Sequence, residues 1–124
     1  MISPYVIPGL KGILPKYMPK VKQIQLLQST IVTYGKNSFP DIEISWEAIQ
    51  GKSRKRELVL LRHAYCYFCL KLKLFESLKA IGDTIGNRDH STILHANSNT
   101  KDLLDSQDTR TMELHQYIYN NLNN

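Results

Sequence analysis

Residues 77–96 read SLKAIGDTIGNRDHSTILHA, from Ser77 to Ala96, and this run decides the fold. Ser77 is a hydroxyl cap ahead of Leu78, Ile81 and Ile85, whose three- and four-residue spacing predicts a short helix. Gly86 stands where a left-handed stop is needed. Asp89 then caps a second helix, with Ile93, Ala96 or Asn97, Thr100 and Leu103 on its core side and an end near Asp105. A short helix, a tight glycine-containing turn and a second helix opening on small polar side chains describe a helix-turn-helix. The second helix of such a unit enters a major groove by its N-terminus.

Upstream, Lys55 to about Leu74 holds no Gly or Pro. There Leu58, Leu61, Tyr65, Phe68 and Leu72 form an apolar stripe, flanked by Val59, Ala64, Cys66 and Leu70, which predicts a central, mostly buried helix. Ile42 to Gln50 reads as a short extended piece and a helical turn around Trp46, Ala48 and Ile49, after a loop at Lys36 to Asp41. Pro19 opens a first helix carrying Val21, Ile24, Leu27 and Ile31, with an end near Tyr34 and Gly35. Before it, Pro4, Pro8, Pro15, Gly9 and Gly12 resist helix formation, so 1–18 is expected to be an extended arm. Downstream, Met112, His115, Tyr119 and Leu122 predict a last helix over Thr109 to Leu122. The expected organisation is an arm (1–18), a helix-turn-helix domain (19–105) and a C-terminal helical extension (106–124), in an all-α fold.

The 124 residues are 42% hydrophobic, enough for one core. A net charge of +5 and a pI near 9.3 favour an anionic partner. No apolar run approaches the ~20 residues that span a bilayer, and the N-terminus lacks the pattern of a secretory signal. Cytoplasmic location and no membrane partner are therefore expected. Cys66 and Cys69 sit in the apolar stretch, where free thiols pack as small hydrophobes in a reducing compartment.

The opening of the second predicted helix concentrates the chemistry. Arg88, Asp89, His90, Ser91 and Thr92 place a guanidinium, a carboxylate, an imidazole and two hydroxyls within about one turn. Such a group can donate to phosphates, accept from cytosine N4 and pack a methyl against thymine, beside the free amides of a helix N-terminus. Asp89 also serves simply as a cap. A second cluster, Lys52-Ser53-Arg54-Lys55-Arg56 with Arg62 beyond it, predicts a positive strip, and arginine can reach into a narrow A/T-rich minor groove.

These residues resemble a known family. Gly86-Asn87-Arg88-Asp89-His90-Ser91-Thr92-Ile93-Leu94-His95-Ala96 looks like G-x-R-D-H-[ST]-T-[VI]-x-H-A, the signature of the C-terminal domain of the bacterial replication initiator DnaA. Gly51-Lys52-Ser53-Arg54-Lys55-Arg56 resembles the basic lead-in to that domain's long helix, and Ser77-Leu78-Lys79-Ala80-Ile81-Gly82 its S-L-x-x-I-G block. The resemblance covers about Lys20 to Asp105. It implies a Trp-repressor-type bundle binding double-stranded DNA at a box related to TTATNCACA. Arg54 would enter the minor groove, Arg62 and Arg88 would hold phosphates, and Asp89, His90, Ser91 and Thr92 would face base edges. Arg56, His95 and Lys79 are further candidates. The chain departs from the family in a slightly longer Leu72 to Glu76 region, an extended Lys36 to Asp41 loop, and Lys79 where proline is frequent.

No nucleotide, metal or other cofactor is expected, and no catalysis. Gly51-Lys52-Ser53 imitates the end of a phosphate loop, but the required first glycine would fall at Trp46 and no strand precedes it. The ATPase module of full-length initiators has no counterpart in these residues, so ATP-dependent assembly is not expected. His63, Cys66 and Cys69 lack the second ligand pair of a zinc site. His90 and His95 lie roughly 140° apart around a helix and do not share a face. The competing reading is an interaction module that keeps the fold without DNA binding, docking a protein partner through the apolar arm (Tyr5, Ile7, Leu10, Ile13, Tyr17).

Overall fold

A computed structural model describes residues 18–122, and these form six α-helices with no strand among them: α1 (Lys20–Ser38), α2 (Trp46–Gln50), α3 (Arg56–Lys71), α4 (Leu78–Thr84), α5 (His90–Asp105) and α6 (Thr109–Leu122). The fold is an all-α helix-turn-helix bundle. The expected arm lies outside the described residues except for Met18, whose carbonyl accepts from Gln23 Nε2 at 2.6 Å.

The uninterrupted apolar content of α3 makes it the axis of the bundle. Leu58, Leu61, Ala64, Tyr65, Cys66, Tyr67, Phe68 and Cys69 are buried along it, and α1, α2, α5 and α6 all pack on it. Leu27 and Ile31 face it from α1, Ile49 from α2, Ile93 and Ala96 from α5, and Leu114 and Ile118 from α6. Each such leucine or isoleucine contributes on the order of 1.5–3 kcal/mol by leaving water.

Two sequence expectations need correction. The first helix runs past Gly35 to Ser38, because Gly35 is a point of close packing and not a stop. A Cβ there would come within 2.8 Å of both Ile44 Cγ2 and Leu61 Cδ1. The helix closes instead at Phe39, whose amide donates to the Gly35 carbonyl at 2.9 Å. In α6 the inward arc is Thr111, Leu114, His115, Ile118 and Leu122, so Met112 and Tyr119 flank the core. Asp108 sets that phase by accepting from the Thr111 amide at 3.0 Å and its hydroxyl at 2.7 Å. The extension is thereby part of the bundle, packed on α1, α3 and α5.

Candidate nucleic-acid interface

The turn between α4 and α5 is built by two consecutive left-handed residues, Gly86 at φ 82° and Asn87 at φ 56°. Glycine meets no Cβ penalty there, and asparagine is among the few side chains that tolerate the region. The Gly82 carbonyl accepts from the amides of both Ile85 and Arg88 at 3.1 Å, drawing the chain tightly across the end of α4. Tyr65 and Thr84 share a hydroxyl–hydroxyl bond of 2.7 Å, and Gln50 Nε2 donates to the Thr84 carbonyl at 2.9 Å. These bonds tie the same helix end to α3 and α2.

Asp89 caps α5 as its position predicts. One carboxylate oxygen accepts from the Thr92 amide at 2.9 Å and from the Ser91 hydroxyl at 3.0 Å. The Thr92 amide leads in holding this exposed carboxylate below its ordinary range. The charge therefore stays at the helix N-terminus, where the helix dipole favours it.

Beyond the cap, α5 divides cleanly. Ile93, Ala96 and Thr100 point into the core, while His90, Ser91, Thr92, Leu94, His95, Ser98 and Lys101 are exposed. At about 100° per residue, His90, Leu94, Ser91 and His95 follow one another within a single solvent-facing arc. His90 and His95 thus stand at the two edges of one surface. Leu94, 46% exposed, is the side chain that sequence reasoning passed over. An apolar residue in the outward phase of a polar arc is the signal that would have found it.

Arg62 and Arg88 are placed differently from the rest of the predicted set. Arg62 is only 7% exposed. Its Nε donates to the Ile49 carbonyl at 2.7 Å and its Nη1 to that of Ser53 at 3.2 Å, while Nη2 is shut away from solvent without a partner. Arg88 is half-buried, with Nη1 donating to the carbonyls of Gln50, at 3.0 Å, and of Ile85, and Nη2 to that of Gly51 at 2.6 Å. Burial, and next the neighbouring Arg88 charge, lower the Arg62 pKa; burial lowers that of Arg88. Both guanidinium groups thus donate to backbone carbonyls, Arg62 from the interior with one nitrogen left over and Arg88 from a partly exposed position.

The cations that are presented belong to the segment between them. Lys52, Arg54, Lys55 and Arg56 are exposed, and none is ion-paired with another described residue. Among the described residues the ion pair is Lys79 with Asp83, 3.2 Å apart on the outer face of α4. Arg88 brings the two candidate clusters together: it precedes Asp89 in sequence and bonds Gly51, which precedes Lys52.

The His63 and His95 rings meet edge to face at 6.3 Å. His63 shares a 3.1 Å bond between its Nδ1 and Asn99 Nδ2, and burial, followed by His95, Arg62 and Arg88, pushes its pKa down to about 4. Cys66 and Cys69 are free and buried, and burial raises both thiols, Cys66 to about 12. Neither is a thiolate at neutral pH, so neither presents the form that attacks or binds metal. Among the described residues no three of His, Cys, Asp or Glu gather as a metal site, and no helix is long and apolar enough to cross a membrane.

Comparison with known proteins agrees with this geometry. Residues 40–99 match the family model described as the bacterial dnaA protein helix-turn-helix, which takes in α2 to most of α5. The chain is 34% identical over 89 residues to the chromosomal replication initiator protein DnaA of Flavobacterium psychrophilum. That alignment covers 69% of this chain and 17% of the relative, so the chain spans a small part of its length. No solved structure matches the chain.

Proposed function

The chain carries the bacterial DnaA helix-turn-helix over residues 40–99, and from that premise we propose that it binds double-stranded DNA at a box related to TTATNCACA. The observation that carries this reading is the contact of Arg88 Nη2 with the Gly51 carbonyl at 2.6 Å. It brings a basic segment whose cations are not ion-paired beside the N-terminus of a solvent-facing helix. One element suits the minor groove and phosphates, the other the edges of bases in the major groove.

Arg54 enters the minor groove, with Lys52, Lys55 and Arg56 near phosphates. His90, Ser91 and Thr92 face base edges, Asp89 does so with the oxygen its cap leaves free, and His95 and Lys79 lie toward the backbone. Binding, and not catalysis, is the activity, exercised in the cytoplasm in replication initiation or its regulation. The DNA-binding unit lies within 19–105, on which α6 packs.

The test is a fluorescence-anisotropy titration against a duplex containing TTATCCACA and a scrambled duplex, at two salt concentrations. A preference of about tenfold, worth about 1.4 kcal/mol, is expected. Equal affinity for both duplexes would reduce the function to non-specific association. No binding at low salt would leave an interaction module that keeps the fold.

A further inference from the structure

The family resemblance implies that Arg62 and Arg88 hold phosphates, yet in the structure both donate to backbone carbonyls. Between them they hold the carbonyls of Ile49, Gln50, Gly51, Ser53 and Ile85. Four of these belong to one continuous stretch, the end of α2 and the start of the basic segment. The fifth is the last core residue before the turn into α5.

We propose that Arg62 and Arg88 are positioning residues, a pair of guanidinium groups that holds the basic segment from Lys52 to the start of α3 in fixed register with α5. The inference rests on the DNA-binding reading given above. Neighbouring like charges are costly away from water unless hydrogen bonds engage them; the five carbonyls offset much of that cost, with Arg62 Nη2 the one buried nitrogen left over. A planar guanidinium donates from separate nitrogens in a rigid fork, a geometry that the single nitrogen of an ammonium group does not reproduce. The turn is shaped around the same contact, since a Cβ on Gly86 would collide with the Gln50 carbonyl oxygen and come within 2.6 Å of Arg88 Nη1.

The consequence for recognition is geometric. Arg54 follows directly on Ser53, which Arg62 holds, and His90 lies two residues beyond Arg88. The distance from the minor-groove side chain to the base-reading arc is therefore set by side chains that touch neither groove. A slip of one base-pair rise, about 3.4 Å, would put Arg54 on the wrong step.

Arg88→Lys separates the two roles, because lysine keeps the charge a phosphate would need but has one nitrogen where arginine uses two, Nη1 on Gln50 and Ile85 and Nη2 on Gly51. Without DNA, trypsin should cut after Lys52, Arg54 and Lys55 about fivefold faster in Arg88→Lys, as the open population of the segment rises. With box duplex, affinity should fall about tenfold. Arg54→Ala, costing about tenfold in the native background, should cost less than about twofold in Arg88→Lys, since the contact is already lost. Unchanged cleavage and affinity, with Arg54→Ala costing the same in both backgrounds, would overturn the proposal.

Should Arg88→Lys fail to melt cooperatively, nitrogen-15 NMR of the native chain decides. Protected Arg62 Nε and Arg88 Nη protons that keep their shifts when box duplex is added support positioning. Resonances that appear or move only with duplex mean phosphate contact. The cleavage and free-protein NMR readings hold even if the chain does not bind the duplex, so failure of the clamp and failure of the DNA reading are distinguishable.

Discussion

Gly82 lies directly against the main chain of Arg88: a Cβ built on it would stand 2.9 Å from the Arg88 carbonyl carbon and closer still to its oxygen. Backbone cannot swing aside as the end of a flexible side chain can. Gly82→Ala should therefore force α4 away from the turn and cost about 1–3 kcal/mol, the usual range for overpacking. Urea denaturation of the two proteins measures it. A variant as stable as the native chain would mean that the turn yields freely.

Asp89 has two separable duties. Asp89→Asn should keep the cap and stay within a few tenths of a kcal/mol of native stability, whereas Asp89→Ala should lose about 1 kcal/mol. If the carboxylate also reads a base, Asp89→Asn loses discrimination between the box and a scrambled duplex despite its native stability. Thermal melts and paired titrations on the same samples resolve the two effects, and full discrimination by Asp89→Asn would leave only the cap.

On the proposed DNA-binding reading, contacts to the two grooves should differ in salt response. Arg54→Ala should weaken box binding and reduce the slope of log affinity against log salt by about 1. His90→Ala or Thr92→Ala should leave the slope nearly intact and cost about 1–3 kcal/mol of discrimination between boxes. Equal losses on box and random duplex for all three would remove the base-reading assignment.

His115 sets an acid limit on stability. It is fully buried, stacked on Phe68 with centroids 4.9 Å apart, and its Nδ1 donates to the Thr111 carbonyl at 2.9 Å. Burial lowers its pKa to about 4 from 6.5, against a partial offset from that bond. A base with a depressed folded pKa favours the fold while neutral, so its contribution is complete above pH 6.5 and is lost as pH falls toward 4. The full shift corresponds to roughly 3 kcal/mol. His115→Leu should change little at pH 7, since the Thr111 carbonyl keeps its helical partner, and should flatten the decline in melting temperature between pH 6.5 and 4. An unchanged acid profile would place the sensitivity elsewhere, with His63 the next group to replace.

What was legible in the sequence was local. Ser77 and Asp89 cap the helices they precede, and Gly86 takes the left-handed turn, because caps and turns are decided by neighbours within four residues. The phase of α5 followed from the spacing of Ile93, Ala96 and Thr100. What the sequence concealed depended on distant chain. Arg62 looks like one more cation after a basic run, and only the carbonyls of Ile49 and Ser53 make it an interior residue. Gly35 looks like a helix stop until Ile44 and Leu61 are seen against it. The phase of α6 slipped because Met112 and Tyr119 also carry large apolar surface at helical spacing, so periodicity alone did not choose between their arc and that of Leu114 and Ile118.

The left-handed pair Gly86 and Asn87 bears finally on timing. A reversal made from two residues already in sparsely populated backbone wells, and bonded at both ends to Gly82, leaves no disordered hinge to organise when a duplex arrives. On the DNA-binding reading, the entropy of shaping the start of α5 is lost during folding, not at encounter. Association should then proceed at a similar rate on good and poor boxes, and the lifetime of the complex is where sequence preference is recorded.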